Sequence, residues 1–182
     1  NILIMTGSAR RQGNSEMLAE AFARGAVAAG HNVDRFAAAR HDIGGCVACN
    51  ACWSRELPCA FSDDFNDILY PLLIKADVVV LAFPLYFCTF PAKLKAALDK
   101  LYAFGGAERR KRPLPIRESA LLACAANENP ALFDGLLLNY RCTAGFMGWT
   151  DRGTILAPGV MKAGDVQGTV YLKEAERLGR SF

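Results

Sequence analysis

The sequence predicts a doubly wound α/β fold, a mostly parallel five-stranded sheet with helices on both faces. Short strand-like apolar runs alternate with helix-patterned stretches five times along the chain. One of those runs, Val78–Phe83, is continuously apolar, as expected of a strand buried on both faces. The length, 182 residues, suits one α/β unit around one core.

Ile2–Met5 reads as the first strand. Helical spacing of Met17, Leu18, Phe22 and Val27 predicts a helix over Ser15–Ala29, ended by Gly30. Asn32–Phe36 is a weaker second strand, and a long cysteine-bearing loop follows to about Ser62. Asp63 and Asp64 open a helix to Lys75, because acids favour the positive end of a helix. After Val78–Phe83, Pro91 precedes a helix over Ala92–Tyr102, where its missing N–H costs nothing. Ala120–Ala125 is the fourth strand, Leu132–Met147 a helix, and Gly153–Ala157 the fifth strand. Thr169–Leu178 closes the chain as a helix, with Gly179 as its stop. Right-handed crossovers and five strands give the order 2-1-3-4-5 of a flavodoxin-like three-layer sandwich. Residues 1–182 read as one domain with a cysteine-rich loop at about 40–62 and no internal repeat. Ligands of such sheets bind beyond the carboxyl ends of the strands, so the loops after strands one, three and four carry the site.

Hydrophobic residues make up 52% of the chain but fall in short runs, none near the eighteen or so a membrane helix needs. No membrane association is expected. The apolar start, Asn1 to Thr6, is too short for a secretion signal, and the expected compartment is the cytoplasm. A net charge of +3 is too weak to indicate nucleic acid. The densest basic run, Arg109-Arg110-Lys111-Arg112, reads as a solvated loop or as a docking surface for an anion such as the phosphates of NAD(P)H. Seven cysteines, an odd number, argue against a disulfide framework. The only histidines, His31 and His41, belong to no nucleophile–base–acid set.

The loop after strand one, Thr6-Gly7-Ser8-Ala9-Arg10-Arg11-Gln12-Gly13-Asn14-Ser15, is neither a P-loop nor GxGxxG. Its residues still suit a phosphate. Gly7 and Gly13 permit close backbone approach. Ser8, Asn14 and Ser15 can donate hydrogen bonds, Arg10 offers a charged planar fork, and the following helix adds free N–H groups. Gly7-Ser8-Ala9-Arg10 with Gly13-Asn14-Ser15 resembles the Gly-Ser-x-Arg-x-x-Gly-Asn-Ser motif of the NADPH-dependent FMN reductase family. The resemblance implies that Ser8, Arg10, Asn14 and Ser15 hold the FMN phosphate, with Gly13 as a shape requirement.

The loop after strand three, Pro84-Leu85-Tyr86-Phe87-Cys88-Thr89, offers aromatic faces and backbone amides suited to a flavin ring. It resembles the Pro-x-Tyr loop of the same family, and the helix after it resembles that family's Leu-Lys-x-x-x-Asp helix. The resemblance implies that Pro84, Leu85, Tyr86, Phe87, Cys88 and Thr89 line the flavin, Tyr86 foremost. Cys88 and Pro91 depart from the family's smaller or more polar residues. In the loop after strand four, Asn127 either faces the pyrimidine edge of the flavin or caps a helix.

Four cysteines are spaced Cys46-x2-Cys49-x2-Cys52-x6-Cys59. Three thiolates at this spacing suit three corners of a [4Fe–4S] cube, with a fourth ligand further on. Zinc and unligated redox-active thiols are the alternatives. The run, with Asp63-Asp64 after it, resembles the compact motif of the iron-sulfur flavoprotein branch of the same family. That similarity implies a [4Fe–4S] cluster on Cys46, Cys49, Cys52 and Cys59 feeding electrons to FMN. It also implies a homodimer or homotetramer, with the cysteine loop and exposed aromatics such as Trp53 at the interface. The function expected is an FMN-dependent oxidoreductase. Electrons would pass from NAD(P)H or reduced ferredoxin to a small-molecule or protein acceptor, the flavin carrying the chemistry with no catalytic side chain. The rivals are a flavodoxin-type carrier without its own substrate and a flavin-free cysteine sensor.

Overall fold

The computed structural model describes residues 1–55, 58–105 and 113–182. The basic run Arg109–Arg112 lies outside the described residues. Five parallel strands form one sheet in the order β2-β1-β3-β4-β5, as expected. They are β1 (Ile2–Thr6), β2 (Val33–Ala37), β3 (Val78–Pro84), β4 (Glu118–Cys124) and β5 (Thr150–Ala157). Alternate residues of each strand face opposite cores. Ile2, Ile4, Val80 and Leu122 bury against α1 (Asn14–Ala28) and α6 (Val170–Arg180). Leu3, Met5, Leu81 and Leu121 bury against α3 (Tyr70–Leu73), α4 (Ala92–Lys100) and α5 (Asp134–Met147). A single turn, α2 (Ala51–Ser54), sits in the cysteine loop.

Several expectations shift in detail. The helix after Asp63 is α-helical only over α3, and Phe65–Leu69 before it is a π-helical turn. Pro71 has no N–H to close an α-turn onto Asp67, and the wider turn accommodates that loss. The fifth strand starts earlier than its hydrophobic pattern, because Thr150–Arg152 are exposed on the edge of the sheet. Its register slips against Ser119–Leu121, beside Gly153 at φ 149°. α4 ends in a 3₁₀ turn, Leu101–Phe104, and α5 is preceded by one, Pro130–Phe133.

Gly179 does not stop the closing helix, which runs through it to Arg180. Its reason is packing. A Cβ there would overlap the Phe22 carbonyl of α1, and a Cβ at Gly25 would overlap the Glu176 carbonyl of α6. The two glycines let the backbones of α1 and α6 touch. That contact fixes the position of α1, whose N-terminus opens onto the site.

Candidate flavin and cysteine sites

The carboxyl ends of β1, β3 and β4 surround a cleft of ≈ 210 Å³. From the first loop, Ser8, Arg10, Gly13, Asn14 and Ser15 line it. Pro84, Leu85 and Tyr86 line it from the second loop. Gly7 lets the first loop start close to the sheet, since a Cβ there would sit 2.8 Å from Phe83 Cβ. The Met17 amide donates to the Gly13 carbonyl at 3.0 Å, closing the first turn of α1. The N-cap residue has no side chain to cap that turn, and of its leading N–H groups the Ser15 amide meets only the weakly accepting sulfur of Cys124.

Gly13 has an ordinary extended backbone, φ −70° and ψ 163°. The chain itself therefore tolerates a side chain there. A Cβ would stand 3.4 Å from Arg10 and 3.6 Å from Ser8 Oγ, inside the concavity of the loop. The Ser8 hydroxyl accepts from the Arg10 amide at 3.1 Å, which leaves its proton to donate. Arg10 is exposed and makes no ion pair among the described residues. At the end of β1, the buried Thr6 Oγ1 has no hydrogen-bond partner. The Ser8 hydroxyl proton, the exposed Arg10 fork and the first turn of α1, set around a space that a Cβ would enter, fit a phosphate group.

Asn14 lines the cleft, but its side chain is spent elsewhere. Its Nδ2 donates to the carbonyls of Val160 (3.2 Å) and Lys162 (2.8 Å), and its Oδ1 accepts from the amides of Gly164 (3.1 Å) and Val166 (3.2 Å). Both amide protons are used, so the expected side-chain hydrogen bond to phosphate is replaced by a staple on the β5–α6 loop. That loop supplies a wall the sequence reading missed: Val160, Met161 and Ala163. Its signal was present in the glycines around it, since Gly159, Gly164 and Gly168 all take positive φ. Asn14→Ala should lower the stability of the apo-protein by about 1–3 kcal/mol, the cost of stranding buried backbone groups. Chemical denaturation checks this, and faster amide exchange at Gly164 and Val166 should accompany it.

The second loop is a two-residue hairpin. Tyr86 and Thr89 exchange backbone hydrogen bonds at 3.1 and 3.0 Å, and Phe87 (φ 46°) and Cys88 (φ 60°) form its left-handed tip. This is the type I′ geometry that prefers Asn-Gly. Phe87, Cys88 and Thr89 therefore stand outside the cleft, and Phe87 is wholly exposed. Replacing Phe87-Cys88 by Asn-Gly should stabilise the fold by about 1–2 kcal/mol. A thermal melt reads the gain.

Asn127 also stands outside the cleft. Its Oδ1 accepts from the Asn129 amide at 2.8 Å, a local turn, while Asn129 caps the 3₁₀ segment by accepting from the Ala131 amide at 3.1 Å. In place of Asn127, Cys124 and Ala126 line the cleft. Burial pushes the Cys124 thiol up to about 12, partly offset by hydrogen bonds from the Ser15 amide and hydroxyl. Ser15 thus faces a neutral sulfur, a weak acceptor that an anion would displace.

The other site is the cysteine loop. Cys46, Cys49, Cys52 and Cys59 all line one cavity of ≈ 30 Å³, together with Lys100, Tyr102 and Ala103. Burial pushes the Cys52 thiol up. Its own backbone hydrogen bond opposes this, and the charges of Cys46, Cys49 and Cys59 push it further. Among the described residues, no three His, Cys, Asp or Glu side chains are gathered closely enough to hold a single metal ion. All seven cysteines are free thiols. Trp53 is half-buried rather than exposed, its ring 4.5 Å from that of Tyr102.

Asp63 and Asp64 do more than begin a helix. Asp63 Oδ2 accepts from the Gly44 amide at 2.9 Å, and its Oδ1 accepts from the Phe65 amide at 3.0 Å. Asp64 Oδ2 accepts from the Asp42 amide at 2.9 Å and meets His41 Nδ1 at 3.1 Å. The two acids clasp the stems of the loop that carries the cysteines. His41 is thereby a structural residue, stacked on Phe36 at 4.4 Å.

The family model for NADPH-dependent FMN reductase matches residues 1–131. The chain belongs to the NADPH-dependent FMN reductase family. Members are flavin-dependent NAD(P)H oxidoreductases that bind FMN. Among its relatives is an iron-sulfur flavoprotein of Methanosarcina thermophila, 31% identical over 96 residues, 53% of this chain and 49% of that one. Another is an iron-sulfur flavoprotein of Archaeoglobus fulgidus, 27% identical over 99 residues, 54% of this chain and 44% of that one. The chain spans about half the length of these relatives. Its fold is similar to that of an NAD(P)H:quinone oxidoreductase from Methanothermobacter marburgensis, with a TM-score of 0.75 at 18% identity over 99% of this chain and 95% of that one. An azoreductase from Bacillus anthracis gives 0.74 at 22% identity over 100% and 99%. Among the described residues, no helix is long and apolar enough to cross a membrane.

Proposed function

We propose that this member of the family binds FMN by its phosphate in the β1–α1 cleft. It then moves electrons from NAD(P)H or reduced ferredoxin to a small-molecule or protein acceptor. The observation that carries this reading is the first turn of α1 without a side-chain cap, beside a space at Gly13 that a Cβ would enter. There the first-turn amides and the hydroxyls of Ser8 and Ser15 would hold the phosphate, with the helix dipole adding to them. Arg10, exposed at the rim, would close over it as a charged fork. Tyr86, 49% exposed beside Pro84 and Leu85, supplies a flat wall for the ring. FMN held there would supply the hydride and single-electron chemistry that the reaction needs. On this reading the flavin carries the chemistry and no acid–base side chain is required.

The cysteine cavity supports a [4Fe–4S] cluster on Cys46, Cys49, Cys52 and Cys59. The donor set is four cysteines lining one cavity, and Asp63 and Asp64 clasp the stems of the loop that carries them. The cavity is about the share of one water molecule, so the loop would widen between its stems to admit a cluster. Exposed Cys46 and Cys49 leave that room. Seven free thiols favour a reducing compartment, the cytoplasm. A homodimer or homotetramer is supported by a groove of ≈ 510 Å³ between α4 and α5, flanked by exposed Leu138 and Phe146.

The names of the similar structures point to quinones and azo compounds as acceptors to try first. The test loads the protein with FMN under anaerobic conditions and adds NADPH, NADH or reduced ferredoxin. A quinone or an azo dye follows. Bleaching of the flavin band by one donor and its recovery with an acceptor, over many turnovers, supports the proposal. Reduction without turnover on any acceptor would leave an electron carrier, and no reduction by any donor would overturn the reading.

A further inference from the structure

The hairpin after β3 is both strained and bare at its tip. Phe87 and Cys88 are consecutive residues at positive φ, 46° and 60°. For a bulky side chain that backbone is an outlier, and tips of this geometry ordinarily carry Asn-Gly. Packing does not offset the strain, because the Phe87 side chain is wholly exposed. A single exposed aromatic is ordinary on its own. An exposed aromatic held on a strained backbone is not.

The root of the hairpin is the opposite of its tip. The Leu85 amide donates to the Cys124 carbonyl at 2.7 Å, and Tyr86 and Thr89 exchange their two backbone hydrogen bonds. Phe90, just after them, is buried with its ring 4.8 Å from that of Phe83. A short rooted stalk thus holds one bare ring in place. It stands next to the cleft: Tyr86, the residue before Phe87, lines the cleft and is the flat wall assigned to the flavin ring. Strain of this kind gathers at ligand-contacting sites, where it holds a side chain ready for its partner. A phenyl ring brings no charge and no hydrogen bond. It offers a flat apolar face, and the partner that uses such a face best is another flat ring.

We propose that Phe87 is the acceptor-contacting residue at the mouth of the cleft, and that the acceptor it fits is a flat, uncharged aromatic of the quinone class, stacked against its ring. The proposal rests on the flavin reading above. Tyr86 faces the cofactor, and Phe87, one residue further out, faces the molecule that comes to it. Covering the exposed ring with such an acceptor adds binding that the empty protein lacks. A compact inorganic anion has no flat face and gains nothing from Phe87. A protein partner would need a contiguous apolar patch, and here the ring is followed by a thiol and a hydroxyl, Cys88 and Thr89.

The test compares the wild type with Phe87→Ala and Phe87→Tyr. The side chain is fully exposed, so truncating it should leave the fold intact, which a thermal melt checks. Each protein is loaded with FMN, reduced anaerobically with stoichiometric dithionite, and mixed with menadione, a flat quinone, or with ferricyanide, a compact anion. Chemical reduction keeps the nicotinamide donor out of the comparison. With Phe87→Ala, reoxidation by menadione should slow about tenfold, the factor expected for one lost stacked ring. Reoxidation by ferricyanide and the FMN content should stay at the wild-type level. Phe87→Tyr keeps the flat face and should bring the menadione rate to within about twofold of the wild type. An unchanged menadione rate in Phe87→Ala, or an equal loss with both acceptors, would overturn the proposal. So would light scattering that shows a wild-type oligomer falling apart in Phe87→Ala, since the ring would then lie between copies of the chain. A wild type that binds FMN but is not reoxidised by menadione also overturns it, and leaves the FMN site intact. A wild type that takes up no FMN would instead sink the flavin reading, and the role of Phe87 with it.

Discussion

Gly13→Ala should weaken FMN binding by about 10–100-fold, from a steric cost of about 1–3 kcal/mol, and leave the apo-protein almost as stable as before. The asymmetry follows from where the missing Cβ would go. The Gly13 backbone is extended, so alanine meets no conformational penalty. Its Cβ would make only ordinary contacts with Arg10 and Ser8, inside the space assigned to the phosphate. Alanine at the residue before a helix costs some capping energy, and the stiffer unfolded chain returns about as much, so the net change should stay within about 1 kcal/mol. Denaturation of the apo-protein and a flavin fluorescence titration separate the two effects. A loss of stability with unchanged FMN affinity would make Gly13 a structural residue and remove the strongest argument for the cradle.

Gly25→Ala and Gly179→Ala should each destabilise the fold by about 3 kcal/mol or more. Alanine normally stabilises a helix interior by about 1 kcal/mol relative to glycine, so the sign alone is diagnostic. Here each new methyl would meet a backbone carbonyl of the facing helix, which cannot move aside as a side chain can. α1 and α6 would have to separate, and α1 carries the first turn that faces the cleft. FMN affinity should therefore fall together with stability in these two variants, unlike in Gly13→Ala. Unfolding curves read alongside flavin titration give the comparison.

The sheet order was legible because its signal is repetitive. Five apolar runs alternating with helical spacing leave little choice beyond a doubly wound sheet, and right-handed crossovers set the order. The loop after β1 was legible for a different reason: its glycines and hydroxyls lie consecutively, so the sequence places them together without long-range knowledge. Asn14 shows where that local view stops. Its residue type says hydrogen bonds, but its partners are at 160–166, far along the chain, and only the packed fold reveals that they use both ends of the amide. Gly179 was read as a helix stop because glycine serves both as terminator and as close-packing residue. Which role applies depends on the helix across from it. The Phe87-Cys88 tip could not be foreseen, since neither residue favours the left-handed backbone it adopts. Asp63 and Lys100, 37 residues apart, form a pair that no local pattern announces.

The most direct test of the central claim is a titration of the apo-protein with FMN and, separately, with riboflavin, which lacks the phosphate. Three or more hydrogen bonds to a charged phosphate, each contributing about 1.5–3 kcal/mol, should favour FMN over riboflavin by at least about a hundredfold. Such a preference, diminished in Ser15→Ala and in Arg10→Ala, would place the phosphate in the β1–α1 cleft. Equal binding of the two flavins, or binding of neither, would contradict the account.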